Sequence, residues 1–78
     1  MIYDQTFKLE KLYHKFLKQK NIPIEKLPIF VSKLYQAGFI DVFRSPEDPD
    51  VERYSETEKL RDRRHTDELF SIVQSLIS

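Results

Sequence analysis

The sequence predicts a small, mostly helical α+β domain of three helices and a short β-hairpin. Three observations lead there. Apolar residues recur at helical spacing over 9–17, 27–35 and 69–77. The chain's single glycine, Gly38, separates the second of these runs from a β-prone stretch at 39–43. Seventy-eight residues with no cysteine and ten aromatics allow one small packed domain, 1–78, without disulfide or thiolate support.

The first helix is expected over about 5–20. Leu9, Leu12, Tyr13, Phe16 and Leu17 fall at i, i+3, i+4, i+7 and i+8, a stripe wide enough to face a core. Either Asp4 or Thr6 can cap its start by accepting backbone N–H bonds. Lys18 and Lys20 suit the negative end of its dipole, and Asn21 with Pro23 stops it.

A second helix is expected over about 28–37, after a short turn at 23–27. Proline costs about 3 kcal/mol inside a helix but is favoured at its first position, which places Pro28 at the start. Leu27, Phe30, Val31, Leu34 and Tyr35 form its buried stripe, and Gly38 supplies a left-handed exit.

The hairpin is expected over 39–54. The stretch 39–43 is its first strand, the proline- and acid-rich 44–50 an exposed loop, and 51–54 a weaker second strand. Ser55 and Glu58 have the spacing of a capping box, so a third helix is expected over about 56–77. Its first half is almost wholly polar. Its second half carries Leu69, Phe70, Ile72, Val73, Leu76 and Ile77, which either complete the core or offer a partner contact.

Net charge is zero but unevenly spread. Residues 1–38 carry seven lysines against three acids, and residues 39–78 five arginines and one lysine against ten acids. Lys8, Lys11, Lys15 and Lys18, at i, i+3, i+7 and i+10, would share one helical face. Such a row either neutralises phosphates or is the solvated back of the helix. Arg61, Arg63 and Arg64 can bind carboxylate or phosphate bidentately, or pair with nearby acids on their own helix. From Glu47 to Glu58 six acids stand against Arg53 alone. Glu47, Asp48 and Asp50 are therefore candidates for meeting a basic partner, the alternative being a solvated loop.

Nothing in the chain spells a nucleophile, a phosphate-binding loop or a zinc-protease motif. Glu10 and His14 are one turn apart, but two ligands are too few for a metal site. No enzyme activity, cofactor or metal is expected. No apolar run approaches the ~18 residues of a membrane span, and the N-terminus lacks signal-peptide regions. An intracellular, cytoplasmic protein without membrane contact is expected.

From Leu34 to Glu58 the chain resembles the recognition-helix and wing region of MarR-type winged-helix regulators. Leu34, Gly38, Phe39-Ile40, Pro46-Glu47-Asp48 and Thr57-Glu58 fall in that family's register without a gap. The resemblance implies a winged-helix-like fold in which 28–37 is the recognition helix and 44–50 holds the wing tip. The family's basic residues around the wing are absent: Val42 and Phe43 follow the strand, and Pro49-Asp50 follow Asp48. The reading is therefore a small non-enzymatic binding protein that regulates, inhibits or adapts a protein partner, with a homodimer as one arrangement. The alternative is a winged-helix-like DNA-binding transcriptional regulator using the lysine row.

Overall fold

The computed structural model describes residues 6–77. They form a small α+β structure, in which helices pack on a three-stranded antiparallel sheet. The chain runs through β1 (Phe7–Lys8), a helical segment over 10–20, α2 (Leu27–Ala37), β2 (Ile40–Ser45), β3 (Asp48–Glu56) and a broken helical segment ending at Ser75. The strand order is β1-β3-β2, so the first strand lies along the last.

The first helix starts later than its apolar stripe predicts, at Glu10 rather than about residue 5. The reason is tertiary. Arg53 on β3 donates from Nε to Thr6 Oγ1 at 2.9 Å and from Nη2 to Thr6 O at 3.0 Å. This fork holds the chain extended, with Phe7 opposite Tyr54 and the two ring centroids 5.5 Å apart. Thr6 is thus not a helix cap, and Asp4 lies outside the described residues. The segment comprises α1 (Glu10–Leu12), a π-helical stretch Tyr13–Leu17 and a 3₁₀ turn Lys18–Lys20. Its two fully buried residues, Leu12 and Leu17, are five apart, which is the hydrogen-bonding step of a π-helix. Asn21 ends it in the left-handed region at φ 58°, and Ile22 N–H reaches back to Leu17 O at 3.1 Å.

A 3₁₀ turn, Ile24–Lys26, leads into α2, where Pro28 occupies the first turn and loses no helical bond. Gly38 ends α2 at φ 84°. Its N–H bonds Tyr35 O at 3.1 Å, and the Phe39 N–H bonds Leu34 O at 2.9 Å. Leu34 and Phe39 both bury their side chains, so this exit also turns the chain into the core.

The hairpin is longer than expected and its loop shorter. β2 and β3 are joined by a two-residue turn at Pro46 and Glu47, where the fixed φ of proline suits the second position of a β-turn. Asp48 and Asp50 consequently lie on β3 and not in a seven-residue loop. Between Arg44 and Ser45 the pairing slips: Arg44 faces Glu52, whereas Ser45 faces Asp48. The irregularity takes up residues 49–51, among them Pro49, which has no N–H to give a ladder.

The expected 56–77 helix is three pieces: α3 (Glu58–Arg61), a 3₁₀ turn Arg63–His65 and α4 (Thr66–Ser75). Asp62 breaks it. Its backbone is extended at φ −85°, ψ 119°, and its carboxylate accepts the Arg64 N–H at 3.0 Å. A short acid that bonds the backbone two residues on competes with helical continuation. The capping box is also absent. β3 runs through Ser55 to Glu56, so Thr57 precedes the helix instead. The Thr57 hydroxyl points back at Gly38 O (2.6 Å) and Phe39 O (2.9 Å), its single proton shared between these two carbonyls.

One core draws on every layer: Leu12, Leu17 and Ile22 from the first segment, Phe30, Val31 and Leu34 from α2, Phe39, Ile40 and Tyr54 from the hairpin, Val73 and Leu76 from the end. Tyr35, expected inside, is more than half exposed, and of the residues open to core or partner, Phe70 and Ile77 are also more than half exposed.

Candidate partner-binding surface

The most distinctive surface begins with α2. The inward stripe of this helix is spent on the core, so its outward side is set by the residues between. Ile29 and Tyr35 stand 46% and 56% exposed, with Ser32 and Gln36 beside them joined by a 3.3 Å side-chain hydrogen bond. The only cation on the helix is Lys33, which is half-buried. An exposed aliphatic and an exposed tyrosine on one uncharged helical face are what protein contacts favour.

This face borders a groove of about 410 Å³ between α2 and the sheet, floored by Leu9, Leu27, Val31 and Val42 and edged by Tyr35 and Glu52. An adjoining hollow of about 290 Å³ shares Leu9, Leu27 and Glu52 and adds Lys8, Glu10 and Asp50. The floor is apolar and three of the four charges around the second hollow are acidic. Glu52 is cross-strand to Arg44, with a 3.7 Å ion pair between the exposed side chains.

Each residue singled out from the sequence has a definite place. Glu47 sits in the turn, and Asp48 and Asp50 on the adjoining strand, all three exposed. Asp50 thereby reaches the groove region, while Glu47 and Asp48 border a separate hollow of about 380 Å³ with Phe43 and Arg53. The arginines lie elsewhere. β3 separates the acidic tip from α3 by roughly 25 Å of extended chain, so acids and arginines do not make one site. Arg64 is already engaged, its Nη2 2.7 Å from Asp62 Oδ2. That fork holds the Asp62 carboxyl below its ordinary range. Arg61 and Arg63 are exposed.

The lysines do not form a single row. Lys8 is on β1, ahead of the helix. Lys11 places its ammonium 3.6 Å from the centre of the Phe7 ring, and Lys15 pairs with Glu56 at 3.1 Å. Lys18 is exposed in the 3₁₀ turn.

Lys59 makes contacts that no motif in the sequence marks. Its Nζ donates to Ala37 O at 2.7 Å, lies 3.1 Å from both Glu68 carboxylate oxygens and sits 4.7 Å from the Phe39 ring centre. It thus places a positive charge on the negative end of α2. The signal was present, since Lys59 is the only lysine after Gly38.

Comparison with protein-family models, with curated proteins and with solved structures returned no match to this chain. Among the described residues, no three His, Asp or Glu side chains converge as a metal set, and no helix is long and apolar enough to cross a membrane.

Proposed function

We propose that this chain is a non-enzymatic binding protein that regulates a protein partner, gripping it with the outward face of α2 and the adjoining groove. The observation that carries the reading is the character of that face. Ile29 and Tyr35 are offered to solvent, one half-buried lysine is the only cation, and an apolar floor lies alongside. A nucleic-acid reader depends on cations that neutralise phosphates. Here the hairpin end carries Glu47, Asp48 and Asp50, and Lys11 and Lys15 already have contacts within the molecule.

The scaffold in this proposal is winged-helix-like. Supporting it are a strand, two helical segments and a hairpin with a β1-β3-β2 sheet, beside the MarR-type resemblance of residues 34–58. In that reading α2 stands in the place of the recognition helix, and residues 46–47 in that of the wing tip.

The test is a comparison in an extract of the native host between the immobilised full chain and its Ile29→Asp/Tyr35→Ala variant. A protein retained by the first and lost by the second is the expected result. Mobility-shift titration at low salt is expected to show no DNA complex. Tight, salt-sensitive DNA binding would overturn the reading in favour of a DNA-binding transcriptional regulator.

A further inference from the structure

A second apolar surface lies on α4 and the turn that follows it, apart from the face used above. Phe70 and Ile77 are each 54% exposed. Phe70 stands on α4 itself, and Ile77 two residues beyond its end, in a turn where the Ile77 N–H bonds Gln74 O at 3.0 Å. They make a short seam beside the buried Val73 and Leu76.

The charges flanking this seam are arranged by sign. At its start is the first turn of α4, with Asp67 and Glu68. Glu68 already meets Lys59, and Asp67 is exposed. At its end Ile77 borders a surface hollow of about 300 Å³ that also includes Lys20 and Lys26. One stripe thus runs from acid through Phe70 and Ile77 to lysine.

We infer that this seam is the interface for a second copy of the chain, packed with α4 antiparallel to α4 about a twofold axis. Antiparallel pairing sets Phe70 of each protomer near Ile77 of its partner. It brings Asp67 toward the partner's Lys20 and Lys26 twice over, and opposes the two helix dipoles. Parallel pairing would put acid on acid and lysine on lysine. A zero net charge on the whole chain imposes no long-range repulsion between copies. A small domain gains stability from such an association by mass action.

Sedimentation and light scattering over a concentration series test this on the full chain. A reversible monomer–dimer equilibrium that weakens with salt is expected. Phe70→Asp/Ile77→Asp should remain monomeric at every concentration while keeping the far-ultraviolet circular dichroism of the parent. Asp67→Lys and Lys26→Glu should each weaken association several-fold, and the two together should restore it. A parent that stays monomeric at the highest concentration overturns the inference, as does a dimer indifferent to Phe70 and Ile77. Failure of the charge-exchanged double variant to recover overturns the antiparallel arrangement. None of these outcomes depends on the α2 face, so the two proposals stand or fall separately.

Discussion

Tyr54 is fully enclosed, yet its hydroxyl has no hydrogen-bond partner among the described residues. Its ring is needed: it packs on Phe7 and lies between β1 and β2, opposite Val42. The hydroxyl is a cost that the ring carries with it, because a buried donor without a partner loses its hydration. Burial, with the nearby Glu56 charge adding to it, pushes the phenol from 10.0 up to about 12. The folded state therefore keeps this proton after the unfolded chain has released it. Between those two values the unfolded state binds fewer protons, so stability falls as pH rises. Tyr54→Phe is expected to stabilise the protein by about 1 kcal/mol at neutral pH. It should also reduce the loss of stability above pH 10, as read from urea midpoints across the alkaline range.

At the scale of the element, the last helical segment shows how one side chain redirects a helix. The stretch from Lys59 to Glu68 is rich in charged residues with good helix propensity, and periodicity alone runs it straight through. Asp62 ends α3 instead and caps the next turn. Its carboxylate takes the Arg64 N–H at 3.0 Å and holds the Arg64 guanidinium in a fork. The lowered carboxyl means this contribution is present above the ordinary aspartate range and is lost as pH falls through the folded value. Asp62→Asn keeps the shape but removes the charge. Amide hydrogen exchange should then show faster exchange at Arg64 than in the parent at neutral pH, with the difference vanishing in acid.

At the scale of the whole molecule, the joint between α2 and the end of the chain is made at Lys59. The ammonium meets the last turn of α2 through Ala37 O and α4 through Glu68, and lies over the Phe39 ring. Thr57 closes the same joint from its other side by bonding the Gly38 and Phe39 carbonyls. Lys59→Met retains the stem and removes the charge. The expected loss is about 1–2 kcal/mol, from a helix-terminal cation and a charged hydrogen bond. Urea denaturation should show a lower midpoint with an unchanged slope. Much of this architecture was legible beforehand, because local rules set it. Pro28 could only begin a helix, Gly38 could only end one, and the apolar run after it made a strand. The outward turn of Tyr35 was not legible, because α2 meets the sheet and α4 on one side only. Nor was the break at Asp62, where a side-chain bond to the backbone outweighs propensity.

By itself the sequence determined the order of helices and hairpin, the left-handed exit at Gly38, and the separation of a lysine-rich half from an acid- and arginine-rich one. These follow from periodicity, from backbone sterics at glycine and proline, and from counting charges. Only the tertiary structure decided which charges are already spent and which apolar residues are left over. The fork of Arg53 on Thr6 turned a helix start into a strand and dispersed the lysine row. The sheet pushed acids and arginines to opposite ends of a hairpin. Close packing of one small core left Ile29 and Tyr35 on one side and Phe70 and Ile77 on another. Those outcomes depend on contacts between residues distant in the chain, which no local pattern encodes.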